Sequence, residues 1–325
     1  MKAIVCNEYA PIEKLAYTDV PDPEVGPSDV LVDIKAAGVN YPDGLIVQGL
    51  YQVKPELPFS PGFEFAGVIS QVGEKVKGLE PGTRIMGMTP SYGAYAEKIA
   101  VNKMFVLPIP DEMTFVDAAN LACAHGTAHH ALKQRGQVKP GETLLVLGAA
   151  GGTGVAAVQI GKAMGATVIA ACSSQEKLDI AKENGADILI NYNEQDLRKT
   201  LKEVTEGKGV DVVYDPVGGD AFDACTRSMA RNGRILVIGF ASGTIPKLPV
   251  NLTLVKEYSV TGVFWGNFTA AEPQVYAENL KEMFQWYKDG QIKVITEAEL
   301  PLSEAPKALN MLLQRQVKGK LVLLP

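Results

Sequence analysis

The segment Leu144-Leu145-Val146-Leu147-Gly148-Ala149-Ala150-Gly151-Gly152-Thr153-Gly154-Val155 constrains the fold of this chain more than any other. A short apolar run reads as a buried strand, and it passes through a glycine cluster into an apolar helix. Glycines let the backbone approach a pyrophosphate closely, and a helix N-terminus presents free N–H groups and the positive end of its dipole. Such a turn is specific only where it opens a series of strand–helix units, and here it does. Strands are expected at 143–148, 167–171, 187–190, 210–214 and 235–238, with helices at 153–164, 175–184, 194–204 and 220–230 between them. That alternation specifies a parallel sheet covered by helices on both faces. Ala149 stands where the fingerprint's first glycine is usual, and Gly151 and Gly154 hold the later places. Gly151, Gly152, Thr153, Gly154 and Val155 are the expected phosphate contacts; the alternative is a structural turn that binds nothing.

An NAD-binding domain usually places an acid roughly 20 residues beyond this turn to bond the adenosine ribose. Here the second strand ends on Cys172, followed by Ser173, Ser174 and, one helical turn on, Lys177. With no carboxylate to repel a 2′-phosphate and a cation at hand, the pattern favours NADPH. Glu176 is a neighbour, but its place on the helix should turn it away.

The first ~110 residues have another rhythm: short segments at 30–36, 64–72, 84–88 and 94–101 broken by Gly and Pro, which suggest a small barrel or sandwich. A long helix is expected over 114–135, and the tail offers a strand-like run at 258–264, helices near 273–289 and 304–314, and a closing strand at 320–324. At 325 residues, two domains are expected. A net charge of −6 without a Lys/Arg block argues against a nucleic-acid or anionic-membrane surface. No apolar stretch approaches the ~20 residues of a membrane helix. Four widely spaced cysteines read as reduced thiols of a cytoplasmic protein.

Taken together, residues 36–43 (Ala-Ala-Gly-Val-Asn-Tyr-Pro-Asp), 61–67 (Pro-Gly-Phe-Glu-Phe-Ala-Gly), 125–128 (His-Gly-Thr-Ala), the 148–154 loop, Gly185-Ala186-Asp187 and Asn191-Tyr192 resemble a known family. It is the medium-chain dehydrogenase/reductase superfamily, in its zinc-independent NADPH:quinone oxidoreductase branch. The resemblance implies a GroES-like β-barrel catalytic domain interrupted by a Rossmann domain, with expected limits 1–122, 123–262 and a return segment 263–325. It also implies that the chain departs from the zinc branch, which carries Gly-His-Glu where this chain has Gly62-Phe63-Glu64 and a cysteine where it has Asn40. Phenylalanine cannot ligate a metal and an amide replaces thiolate poorly, so no metal is expected. Cys123 lies near the third ligand position, and the four-cysteine lobe of that branch is missing. His125, His129 and His130 share one helix and read as hydrogen-bonded residues rather than ligands.

By the same resemblance, Asn40, Thr127, Tyr192, Phe240, Ser242, Phe264 and Lys320 are cofactor contacts. Tyr192 would approach the 2′-phosphate beside Ser173 and Lys177, and Phe264-Trp265-Gly266 would line the nicotinamide end. A homodimer is the expected assembly. Without a metal Lewis acid, alcohol oxidation loses the ion that stabilises an alkoxide. A quinone or enone accepts hydride at carbon while charge grows on a distant oxygen, and needs orientation and a donor for that oxygen. Related enoyl-thioester reductases carry a tyrosine in a similar place, so Tyr51 is the expected donor, with Asn40 as the second catalytic residue and Asp43 holding the loop. Three functions remain open: quinone or enone reductase, enoyl-thioester reductase, and a non-enzymatic NADPH-binding protein.

Overall fold

In the computed structural model, which describes residues 1–314 and 316–325, the apolar run is the strand Thr143–Leu147, and Leu144 to Leu147 have no exposed surface. On one side it pairs with Thr167–Cys172, then Ile188–Asn191; on the other with Val210–Asp215, then Met229–Val237, then Ser259–Gly262. Every pairing is parallel. Numbered along the chain, the strands lie in the order 3-2-1-4-5-6. The order reverses between the first and fourth strands, and in such sheets ligands bind off the carboxyl ends at that switch point. Helices Gly152–Ala163, Gln175–Glu183, Leu197–Val204 and Gly219–Ser228 make the crossovers.

The chain divides into two compact units, one formed by Met1–Cys123 with Val294–Pro325, the other by Ala124–Lys293. In the first, a seven-stranded sheet runs Thr296–Pro301, Lys320–Leu324, Asp29–Val39, Glu64–Val72, Arg84–Met88, Val106–Pro108, with Lys98–Asn102 also paired to Asp29–Val39. The long strand Asp29–Val39 therefore serves three partners, helped by register shifts at Leu31/Val32 and Ile34/Ala36 that bend it. Its inward side chains Val30, Val32 and Ile34 meet Phe65, Ile69, Ile85 and Leu323 in the core.

The return point differs from the expected 262/263: the chain rejoins the first unit at Val294. The reason is packing within the second unit. Helices Trp265–Ala271 and Pro273–Lys288 lie against the 124–135 segment. There His130 stacks on Phe268 with ring centroids 3.8 Å apart, Gln134 donates to Asn279 at 3.0 Å, and His129 Nε2 meets Glu282 at 2.7 Å. Burial lowers His129 to about 4, so it is neutral. His125 and His130 pair with Gln159 and Gln134. Residues 94–97 are not a ladder strand; there only Ala96 forms an isolated bridge, to Ala3. The 258–264 run yields the strand Ser259–Gly262 and then a helix beginning at Trp265.

Candidate active site

In the second unit the chain leaves Thr143–Leu147 through Gly148, whose φ of 60° admits a glycine and little else. The tight turn thus falls on Gly148, and Ala149 needs no replacement glycine. Helix Gly152–Ala163 follows with no side chain capping it, so the N–H groups of its first turn are left for an anion. Gly154 explains why the loop is so close-fitting: a Cβ there would stand 2.2 Å from the Gly148 carbonyl oxygen and 2.9 Å from the Ala149 Cα. Backbone cannot swing aside as a side chain can. Gly154→Ala is therefore expected to weaken NADPH binding roughly 10- to 100-fold with the far-ultraviolet circular dichroism unchanged. A fluorescence titration matching the unmodified protein would show that the loop is no phosphate cradle. Of the other expected contacts, the Thr153 hydroxyl is engaged inside the fold by Tyr214 and the Ala124 carbonyl.

At the next strand end, Ser174 caps helix Gln175–Glu183 by accepting from the Lys177 N–H at 3.4 Å. This is the role of an N-cap, and it turns Ser174 to the backbone. Ser173 is the serine that the lysine side chain reaches, with Lys177 Nζ donating to its hydroxyl at 3.5 Å. Tyr192 joins them, since its N–H bonds the Cys172 carbonyl at 3.1 Å. Asn193, which the sequence reading passed over, donates to the Ser173 carbonyl at 2.8 Å and fixes the loop. Sequence spacing gives no sign of that bond.

Further along the sheet, Asp215 Oδ1 accepts from Val217 N–H and Gly218 N–H, both at 2.8 Å, and shapes the turn beside the 240–244 loop. Phe240 and Ser242 lie over Gly218 and Gly219 there. Phe264 and Gly266 are exposed, whereas Trp265 is buried against Gly126 and stands edge-on to Tyr276 at 5.8 Å. The Trp265 ring packs over Gly126 within the second unit. Thr127 is half-buried on helix Phe115–His130.

In the first unit, Asn40 and Lys320 are brought together by a residue the sequence reading did not select. Buried Glu64 takes Lys320 Nζ at 2.8 Å and Asn40 Nδ2 at 2.7 Å on one oxygen, and the Cys123 N–H at 2.8 Å on the other. Lys320 Nζ also donates to Asn40 Oδ1 at 2.6 Å and the Val39 carbonyl at 3.0 Å. All three side chains are nearly sealed from water, so the ammonium is held by oxygens on every hydrogen. Gly38 gives the carboxylate its room: a Cβ would lie 2.3 Å from Glu64 Oε1.

Asp43 lies beneath this cluster. Its Oδ2 accepts from the Asn40 N–H at 2.9 Å and the Tyr95 hydroxyl at 2.7 Å, fixing the start of helix Tyr41–Ile46, as expected of a loop-holding residue. Burial pushes the Asp43 carboxyl up to about 7, against the pull of those two donors. Tyr51 is raised above the usual phenol value, first by burial and then by Cys123 and Asp43, so its hydroxyl stays protonated. Among the described residues no group of three or more His, Cys, Asp or Glu side chains gathers as metal ligands.

Residues 26–111 match the alcohol dehydrogenase GroES-like domain and residues 152–286 the zinc-binding dehydrogenase domain. The latter match excludes positions 40, 63, 64 and 123, where the zinc comparison was drawn. Over 99% of its length the chain is 38% identical to quinone oxidoreductase-like protein 2 homolog of Nematostella vectensis, covering 88% of that protein. It is 33% identical to a quinone oxidoreductase of Pseudomonas aeruginosa, covering 100% of this chain and 99% of that protein. The crystal structure of Escherichia coli quinone oxidoreductase complexed with NADPH superposes with a TM-score of 0.93 at 31% identity, covering 100% of both chains. A doubly wound 3-2-1-4-5-6 sheet with a glycine loop, set into a GroES-like unit built from both ends of the sequence, agrees with that likeness. The chain belongs to the quinone oxidoreductase branch of the medium-chain dehydrogenase/reductase superfamily, a family of nicotinamide-dependent oxidoreductases.

Proposed function

We propose that this protein reduces quinones or related electron-poor enones with NADPH, by direct hydride transfer and without a metal. The cluster of Lys320, Asn40 and Glu64 carries this reading. An ammonium already paired with the buried Glu64 carboxylate supports a site that needs no metal cation, since a second cation there would have to displace the first. The uncapped helix start and the space reserved at Gly154 suit a pyrophosphate. Residues 151–155 would hold that pyrophosphate, and Ser173, Lys177 and Tyr192 the adenosine 2′-phosphate. Bound there, the dinucleotide supplies the hydride. Tyr51 and Asn40 orient the acceptor, with the Tyr51 hydroxyl donating to the oxygen on which charge grows. A quinone or enone asks for no stronger electrophile, which is why phenol and amide donors suffice where an alcohol substrate would need a Lewis acid.

The protein works on this reading as a homodimer in the cytoplasm, where the buried, unbridged thiols of Cys6, Cys172 and Cys225 persist. The apolar side chains Val250, Leu254 and Val255 are exposed beside the edge strand Ser259–Gly262, and an interface between copies would cover them.

The test is NADPH oxidation against quinones, enones and enoyl-CoA esters in the presence of a metal chelator, repeated with NADH. Turnover with NADPH and a quinone is expected to survive the chelator. Lys177→Ala is expected to raise the NADPH KM roughly 10- to 100-fold, the effect of a lost charge-assisted hydrogen bond. The NADH parameters should stay put. Equal losses with both cofactors would remove Lys177 from the 2′-phosphate site.

A further inference from the structure

Residues 151–154 read Gly-Gly-Thr-Gly, so the start of helix Gly152–Ala163 offers the rest of the fold a single side chain to hold. Glycine backbones are free to take many conformations, and a cradle of N–H groups serves only when they converge on one anion. Whatever grips Thr153 therefore decides how ready that cradle is.

The grip comes from Tyr214, the next-to-last residue of the strand Val210–Asp215. That strand lies beside Thr143–Leu147 at the switch point of the sheet, with Val212 opposite Leu144 and Tyr214 opposite Val146. Leu144 is packed on Gly161 of the phosphate helix, where an added Cβ would stand 2.5 Å from its Cδ2. Alternation along the strands turns Val212 and Tyr214 to that same helix-covered face, while Val213 and Leu145 join the core on the other. The Tyr214 ring is wholly buried, and its hydroxyl meets that of Thr153. Thr153 gives its one proton to the Ala124 carbonyl at 3.5 Å, which leaves Tyr214 as the donor of the pair. A phenylalanine would fill the same space without burying a hydroxyl, so packing of the sheet gives no reason for a tyrosine here. The bond to Thr153 does.

The geometry points to Tyr214 as a positioning residue for the dinucleotide: through Thr153 it fixes the first turn of the phosphate helix so that the N–H groups there already converge on a pyrophosphate. The inference rests on the reading above that residues 151–155 hold that pyrophosphate. Tyr214 has no need to touch the cofactor. Its effect is preorganisation: the glycine turn is ordered when the unit folds, so binding does not have to order it.

Three ligands separate the possible roles in titration calorimetry. NADPH carries the pyrophosphate and the 2′-phosphate, NADH the pyrophosphate alone, and adenosine 2′-monophosphate the 2′-phosphate alone. Tyr214→Phe is expected to raise the dissociation constants of NADPH and NADH alike, by about tenfold, the worth of one ordinary hydrogen bond. That of adenosine 2′-monophosphate should stay put, whereas Lys177→Ala is expected to spare NADH instead. Thr153→Val removes the other end of the same bond and should match Tyr214→Phe, with the double variant no weaker than either. Thr153→Ser keeps a hydroxyl and should bind both dinucleotides as the unmodified protein does. The proposal is overturned if Tyr214→Phe and Thr153→Val stay within about twofold for both dinucleotides. It is overturned as well if all three ligands weaken together, since that marks a loosened unit in place of a misaligned turn. If the unmodified protein binds neither dinucleotide, the reading beneath the proposal fails, and Tyr214 loses its role with it.

Discussion

Lys320→Ala is expected to lower the stability of the first unit by about 3–5 kcal/mol, the usual consequence of stranding a buried charge. The lysine bonds Glu64 at 2.8 Å inside a cluster nearly closed to water, and its removal leaves a carboxylate holding only Asn40 and the Cys123 N–H. The melting temperature should drop by roughly 10 °C on the scale of a unit this size. The double variant Lys320→Met with Glu64→Gln should recover most of that loss, because no uncompensated charge remains and the volume is nearly kept. Thermal scans followed by near-ultraviolet circular dichroism distinguish the cases. Equal losses in the single and double variants would mean that the lysine stem, packed between strands, matters more than its charge.

The largest effect on rate is expected at Tyr51. If its hydroxyl donates to the developing oxyanion, Tyr51→Phe removes a contact made mainly in the transition state, and kcat on an enone should fall about 100-fold. NADPH binding should hold, because the ring stays in place. A quinone accepts hydride more readily and should show the smaller loss. The sign of the pH dependence follows from the raised phenol: the donating form persists through neutral and mildly alkaline pH, so the Tyr51 contribution should be lost only above the ordinary phenol range near 10. Steady-state kinetics of both acceptors across pH, with cofactor binding followed in parallel, is the measurement. Losses below about threefold on both would reduce Tyr51 to a wall of the site.

The Rossmann unit was legible because its signals are local. The run at 144–147 is apolar throughout, its glycines follow at once, and each later strand is punctuated by a helix of ordinary length. Ser173 and Lys177 could be paired for the same reason, being four residues apart at a helix start. The buried cluster of the first unit was legible only in part. Asn40 and Lys320 came from resemblance, but Glu64, the atom group that joins them, contacts a lysine 256 positions away, and no periodicity encodes such a contact. The packing of Trp265 over Gly126 was not legible, because an aromatic beside Phe264 looks the same in sequence whether it is exposed or buried. The late return of the chain was missed because an amphipathic helix such as Pro273–Lys288, which buries Leu280 and Met283, reads the same whichever unit it covers, and the polar contacts from Gln134, His129 and Lys133 that assign it to the second unit span about 150 positions.

The strand Lys320–Leu324 pairs with Val39, Gly38 and Ala37, and its first residue supplies the ammonium of the buried cluster. Between them the whole Rossmann unit must be made. During synthesis that unit is contiguous and free to fold as soon as it emerges, as domains do. The sheet of the first unit must wait, holding the Asp29–Val39 strand with an open edge, until Lys320–Leu324 leaves the ribosome. Closing so long a loop is slow for a β pairing, and the exposed edge is where a nascent chain of this protein is most open to chaperones and to aggregation. The cluster around Glu64 therefore forms only after the whole of the second unit has been made, so a ribosome that stalls between Lys293 and Lys320 releases a chain whose second unit is complete and whose Glu64 has no lysine.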